Sequence, residues 1–208
     1  MKRLSLLLLA VLALAACESK PAATAPAAEQ TKPAPKAAEY ETGREAFQKL
    51  YIAAHNWSPD AKPFRLQSQY TAGDPATEGK AGIWRGSFGS VARSSMKAFQ
   101  WTGLVGPDVE QGISHGGDDS YSPTNTSTQV FDMVYLKIDS DKAFAVAQKH
   151  GGDKLTKKDE KIPVLYTLDW DKTKNKLLWH VAYGSSGDDA KLRVVVDATE
   201  GTFVRVDK

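Results

Sequence analysis

The fold is decided by two stretches that align without a gap, Ala81-Gly-Ile-Trp-Arg-Gly-Ser-Phe-Gly-Ser90 and Lys176-Leu-Leu-Trp-His-Val-Ala-Tyr-Gly-Ser185. The alignment sets Trp84 against Trp179 and Phe88 against Tyr183. Because successive side chains of a strand point to opposite faces, each tryptophan shares a face with the matched aromatic residue. Large aromatic side chains are usually buried, so we expect Trp84 and Trp179 to pack against helices.

Each stretch follows a predicted helix and is flanked by further strands. Thr42 and Glu45 have the spacing of a capping box, and apolar residues at helical spacing follow as far as Trp57. Asp139 suits the N-cap of a second helix, which Gly151-Gly152 would end. The predicted strands are residues 64–71, 81–90, 95–101, 164–170, 176–185, 192–198 and 203–206.

These elements predict an α+β fold made of two repeated helix-plus-antiparallel-sheet units. The first unit spans residues 41–130 and includes a long loop, and the second spans residues 131–208. A small sheet needs one face covered, and in each unit the helix would supply that cover.

The N-terminus has the three parts of an export signal. Basic Lys2 and Arg3 precede an apolar run and then small residues, so residues 1–16 are predicted to be a signal peptide. The apolar run is shorter than the roughly 20 residues that cross a bilayer as a helix. Leu14-Ala15-Ala16-Cys17 resembles the lipobox of bacterial lipoproteins. The resemblance implies cleavage before Cys17, diacylglycerol on its sulfur, and an acyl chain such as palmitate on the freed amine.

The alternative is an ordinary signal peptide with an incidental cysteine, but Cys17 is the only cysteine and stands at the cleavage point. Residues 17–40 are rich in Ala and Pro, and they carry no large apolar residue before Tyr40. Such a segment is typical of a disordered tether. Glu18 stands where lipoproteins kept in the inner membrane usually have Asp. The resemblance therefore implies the periplasmic face of the outer membrane.

The second unit resembles the PepSY family. The resemblance rests on Asp141-Lys-Ala-Phe-Ala-Val-Ala, Leu178-Trp-His-Val-Ala-Tyr-Gly and Val195-Val-Asp-Ala-Thr-Glu-Gly-Thr-Phe-Val204. It covers residues 139–208, with a fainter echo over 42–103. Glu200 intervenes before the glycine of the closing motif, and the first unit lacks the closing Asp-Ala. PepSY domains occur in protease propeptides and exported proteins, so the resemblance implies a binding or inhibitory role.

Composition excludes several classes of function. The chain has 27 Lys and Arg against 25 Asp and Glu, and loss of Lys2 and Arg3 leaves 25 against 25. A formally neutral, exported protein offers no electrostatic basis for binding nucleic acid. Since Cys17 has no partner cysteine, disulfides and thiol chemistry are also excluded.

The sequence predicts no catalytic, cofactor or metal-binding residue. No Gly-x-Ser-x-Gly or phosphate-loop motif is present. The residues of 169–175 lack the glycine of a calcium loop and suit a hairpin turn, and Asp197 suits a turn. The segment His115-Gly-Gly-Asp118-Asp119 has two interpretations: a plain loop, or a loop that holds a metal ion. None of the histidines has the zinc-site spacing to another: His55, His115, His150 and His180.

Three residues form the candidate interaction surface. Arg85 and His180 alternate with the strand tryptophans and so face away from them, while His115 lies in residues 102–130. That Gly-, Ser- and Asp-rich region is predicted to be either a linker between the units or a binding loop.

We therefore expect a non-enzymatic binding or inhibitory module for a protein or peptide partner, such as an envelope protein or a protease. The alternatives are a hydrolase that uses the 102–130 loop, or a structural or assembly lipoprotein. A long unpaired strand edge or an exposed apolar patch would favour binding. A convergent polar cluster around His115 would favour the hydrolase.

Overall fold

The structure, a computed structural model, describes residues 37–73, 78–106, 109–126 and 128–207. The predicted signal peptide, Cys17 and most of the predicted tether lie outside the described residues. One compact unit spans Lys36–Lys208. Its elements are β1 (Glu41–Thr42), α1 (Gly43–Trp57), β2 (Lys62–Ser68), β3 (Lys80–Ala81), β4 (Ile83–Ser90), β5 (Ser95–Thr102), β6 (Gly112–Ser120), α2 (Ser140–Ala147), α3 (Asp153–Lys158), β7 (Val164–Asp171), β8 (Lys176–Tyr183), β9 (Leu192–Asp197) and β10 (Phe203–Asp207).

Eight of these strands form one antiparallel sheet in the order β10-β9-β8-β7-β2-β4-β5-β6, while β1 pairs with β3. The central pair is β2 with β7, in which Arg65, Leu66 and Gln67 lie opposite Asp169, Leu168 and Thr167. The predicted fold class of two helix-plus-sheet units is therefore wrong. A sheet confined to either unit would leave the first long strand of that unit as an unpaired edge. In the structure these two strands, β2 and β7, pair with each other and satisfy their backbone hydrogen-bonding groups.

The helices cover one face of the sheet, with α1 on β2, β4 and β5, and α2 on β8 and β9. The main core fills the space between them, and we call the opposite surface the outer face. Trp84 and Trp179 are fully buried in this core, and their rings meet edge to face at 6.3 Å. Each indole N–H donates 2.9 Å to the carbonyl two residues before a helix, Trp84 to Glu41 and Trp179 to Ile138.

The two tryptophans meet beneath the first residue of α1. A Cβ atom on Gly43 would lie 2.6 Å from Cη2 of Trp179 and 3.1 Å from Cη2 of Trp84. The Gly43 N–H donates to Ser140 Oγ at the start of α2, 2.7 Å away. The predicted capping box of Thr42 and Glu45 is present. The beginnings of α1 and α2 and both tryptophans thus form one continuous centre.

Residues 112–120 form a strand, although the sequence predicts a long loop over 102–130. Strand β6 pairs with β5 at the end of the sheet, and all nine of its residues are exposed. A strand without a buried face needs no alternation of apolar and polar residues, and alternation was the signal used to predict strands. Strand β6 therefore leaves one edge of the eight-stranded sheet exposed.

Candidate functional site

The three residues of the predicted interaction surface do not lie together. Arg85 and His180 are on the outer face, in one cross-strand row that runs His180, Thr167, Gln67 and Arg85. Three strand spacings separate the two ends of this row, about 14 Å. His115 lies on the helix-covered face, where its ring meets that of Phe99 at 5.9 Å. The predicted interaction residues therefore divide between two separate surfaces, the β6 edge and the outer face.

The backbone directions of β5 show which groups of β6 are free. The Gly103 N–H, just after β5, donates to Gly82 O at 2.8 Å, and the Tyr121 N–H, just after β6, donates to Ser94 O at 3.1 Å. In an antiparallel strand, consecutive residues direct their backbone groups to opposite sides. Odd-numbered residues of β5 therefore bond to β4, and even-numbered residues bond to β6.

It follows that two residues in the first half of β6 direct their backbone groups away from the sheet. Ile113 and His115 lie opposite Trp101 and Phe99, which bond to β4. Ser114 lies opposite Gln100 and bonds inward. The N–H and C=O groups of Ile113 and His115 thus form an open edge that another strand can bond.

The first half of β6 is open, and the second half is protected. Register shifts between β5 residues Lys97 and Phe99, and Asp118 then accepts from Lys97 Nζ at 2.6 Å. This hydrogen bond from Lys97, with the nearby charge of Arg93, holds the pKa of Asp118 below its ordinary value. Bulges and charges of this kind discourage edge pairing. Residues 112–115 contain no Lys, Arg, Asp or Glu, and the register does not shift among them.

Exposed apolar side chains occur in the open half of the edge and in the connection that precedes it. Val105 and Val109, in the connection from β5 to β6, are 50% and 42% exposed, and Ile113 is 42% exposed. Exposed apolar side chains of this size, next to unpaired backbone, provide both the contacts and the hydrogen bonds that a partner strand needs.

The chain enters the fold beside this edge. The Glu39 N–H donates to Gly103 O at 2.9 Å. The Gln111 side-chain amide, next to the start of β6, donates to Gly103 O at 2.7 Å and to Ala37 O at 2.9 Å. The predicted tether therefore leaves the folded part within a few residues of the open half of β6.

The outer face holds a cavity of about 330 Å³, which we call the outer-face cavity. Its polar lining comes from β2, β7, β8 and β9: Arg65, Gln67, Thr167, Asp169, His180 and Arg193. Asp169 lies 3.3 Å from His180 Nε2 and 3.6 Å from Arg65 Nη2. Burial acts to raise the pKa of Asp169, but His180 and Arg65 outweigh it and keep the pKa below its ordinary value. Sequence reasoning found His180 and missed Arg65 and Gln67, since these two reach the cavity only when β2 pairs with β7.

Two turn predictions are confirmed. Residues 169–175 lie in the β7–β8 hairpin, where Asn175 adopts a positive φ of 52°. Asp197 accepts from the backbone N–H groups of Thr199 and Glu200 at 2.8 and 3.0 Å. Burial acts to raise the pKa of Asp197, but Lys176 Nζ at 2.6 Å and the two N–H groups hold it below the ordinary value.

The described residues offer neither a metal centre nor a polar cluster around His115. No group of three or more His, Cys, Asp or Glu side chains among them is placed to hold a metal ion. The His115 ring contacts the Gly116 carbonyl at 3.1 Å, while Asp118 is bound to Lys97. No helix within the described part of the chain is long and apolar enough to cross a bilayer.

Comparison with known proteins gives little support for any assignment. No protein-family model matches the chain, so the resemblance to PepSY is not confirmed. No curated protein matches either. A crystal structure described as a "putative lipoprotein" from Clostridium difficile 630 is similar, with 12% sequence identity and a TM-score of 0.49. The match covers 78% of this chain and 91% of that one. A likeness at this level carries no conclusion about fold or function.

Proposed function

We propose that this protein is a lipid-anchored, non-enzymatic binding module of the cell envelope, whose protein or peptide partner adds a strand to β6. The observation that carries the proposal is the open half of this edge, where Ile113 and His115 direct their backbone groups outward. An incoming strand gains main-chain hydrogen bonds there, and its alternate side chains meet the exposed apolar residues.

The chemistry at the edge favours binding over catalysis. A hydrolase needs a nucleophile within hydrogen-bond reach of a base, and its base is usually oriented by a third group. The hydrogen bond of the His115 ring is to its neighbouring backbone carbonyl. Pairing with an exposed strand requires only an extended segment of the partner. A terminus or a loop of another envelope protein can supply such a segment.

The lipid anchor is proposed on Cys17 because of the lipobox-like Leu14-Ala15-Ala16-Cys17. Two or more acyl chains bind a membrane stably, whereas one chain binds it marginally. Glu18 supports the periplasmic face of the outer membrane. Replacement of Cys17 by Ser should release the processed protein from the membrane pellet in a fractionation experiment. Retention of processed Cys17→Ser protein after a salt wash would exclude this anchor.

The binding proposal is tested by His115→Pro, which removes one outward N–H from the edge. Partner capture from detergent-solubilised envelopes, followed by mass spectrometry, should be lost with this variant. His115→Ala is the matched control, because it removes the side chain and keeps the N–H, so capture should persist. On addition of the captured partner, exchange of the Ile113 and His115 amide hydrogens should slow.

A second control tests the backbone directions themselves. Ser114→Pro removes an inward N–H, so it should lower the urea midpoint, whereas His115→Pro should leave it nearly unchanged, as proline is tolerated on the solvent side of an edge strand. Capture that survives His115→Pro, or that is lost equally with His115→Ala, would show that the partner does not bind by strand addition.

A further inference from the structure

We propose that the outer-face cavity is a second binding site, independent of the β6 edge, and that it takes a carboxylate group. The cavity lies on the face away from the helices, whereas the Ile113 and His115 side chains lie on the helix-covered face. Loss of one site therefore need not affect the other.

Hydrogen-bond donors converge on the cavity. Arg65 and Gln67 come from β2 on one side, Thr167 lies on the floor, and Arg193 comes from β9 on the other side. Gln67 and Thr167 face each other across the β2–β7 pair. Their side chains make no hydrogen bond within the described part of the chain.

Both guanidinium groups keep donors free. Arg193 uses one nitrogen to reach the Gly187 carbonyl at 2.9 Å, and Arg65 approaches Asp169 at 3.6 Å. A guanidinium carries five N–H donors and no acceptor, so most of these donors still lack a partner. Among the described lining residues, Asp169 is the one carboxylate against two arginines. The donors in the cavity therefore lack a negatively charged hydrogen-bond acceptor.

A carboxylate fits this deficit better than a phosphate does. Arginine binds carboxylates through paired, charge-assisted hydrogen bonds, and Gln67 and Thr167 can complete the shell. Asp169 remains ionised next to His180 and Arg65, so a doubly charged phosphate would meet stronger repulsion than a singly charged carboxylate. A volume of about 330 Å³ accommodates a small carboxylate or one acidic side chain of a partner.

The experiment uses the full mature chain and isothermal titration calorimetry with three probes. Glutarate represents a free carboxylate, acetyl-Gly-Gly-Glu-amide represents a protein side chain, and acetyl-Gly-Gly-Gln-amide is the uncharged match. We expect saturable binding of glutarate or of the Glu peptide, and no saturation with the Gln peptide. Whichever acidic probe binds more tightly identifies the source of the carboxylate.

Variants assign the binding to the cavity. Arg193→Gln and Arg65→Gln should each weaken it about tenfold, the loss of one charge-assisted contact. Arg85→Gln is the matched control on the same face but outside the cavity lining, and it should leave binding unchanged. Asp169→Asn should tighten binding, since it removes the competing carboxylate and frees Arg65. A merely destabilised protein would not bind more tightly.

The proposal is overturned by equal binding of the Gln peptide, by an equal loss with Arg85→Gln, by weaker binding with Asp169→Asn, or by no saturation with either acidic probe. If Arg65→Gln lowers the urea midpoint, Arg193→Gln decides the result. His115→Pro should not alter carboxylate binding, so failure of this proposal and failure of the strand-addition proposal are distinguishable.

Discussion

The two ends of the eight-stranded sheet differ in how their edges are finished. Strand β10 has five residues, the Phe203 ring stacks on His150 at 3.8 Å, and Arg205 is held by Asp207 at 2.6 Å and Asp171 at 3.8 Å. Strand β6 has nine exposed residues, and its first half carries no ion pair among the described residues. Short edges with fixed charges resist pairing, so the difference marks β6 as the edge available to a partner.

Both ends of the sheet should depend on one shared core. Removal of either central tryptophan tests this dependence most strongly. Trp179→Ala and Trp84→Ala should each lower the free energy of unfolding by about 3–5 kcal/mol, because each deletes a fully buried indole and its hydrogen bond. Since the rings touch, the double variant should lose less than the sum. Urea denaturation measures all three. A loss below about 1 kcal/mol at Trp179 would contradict the single core.

The same contact can be tested from the helix side with an added methyl group. Gly43→Ala places a Cβ 2.6 Å from Trp179 in a tightly packed core. The free energy of unfolding should therefore fall by about 1–3 kcal/mol. Gly116→Ala on β6 is the control, because the nearest atom lies 4.0 Å away, and its effect should stay within about 0.5 kcal/mol. Similar losses at both positions would mean that β6 is packed as tightly as the centre.

A further test compares one carboxylate from each end of the sheet. Asp197→Asn should cost about 1.5–3 kcal/mol, because the buried carboxylate accepts charge-assisted hydrogen bonds at the β9–β10 turn. Asp118→Asn on exposed β6 should cost less. The folded pKa of Asp197 is lowered, so its contribution is complete above its unfolded pKa and is lost as the pH falls through the folded value. Urea midpoints of wild type and Asp197→Asn should therefore converge in acid, and a constant difference would contradict this linkage.

Local patterns predicted α1, the start of α2 and seven of the strands, but not how the two halves of the sheet pair. The capping box of Thr42 and Glu45, and the alternation around Trp84 and Trp179, depend on neighbours within a few residues. The pairing of β2 with β7 joins residues about 100 positions apart in the chain, and nothing in the alternation of either strand specifies its partner. The predicted two-sheet fold failed at this one contact.

The candidate sites show the same limit. Alternation placed Arg85 and His180 correctly on the face opposite the tryptophans, because it depends on one strand at a time. Arg65 and Gln67 join His180 only through the pairing of β2 with β7, so the outer-face cavity could not be predicted. Strand β6 was missed for a different reason: its residues contact solvent on both faces and carry no periodic signal.

The hydrogen bond between Glu39 and Gly103 bears on the effective concentration of a membrane-bound partner. It fixes the point at which the chain leaves the fold next to the open half of β6. With the proposed lipid at Cys17, 20 residues before Ala37, this edge can move no farther than about 70 Å from the bilayer surface. Confinement to such a shell raises the effective concentration of a membrane-bound partner, so an edge with weak intrinsic affinity can still be occupied.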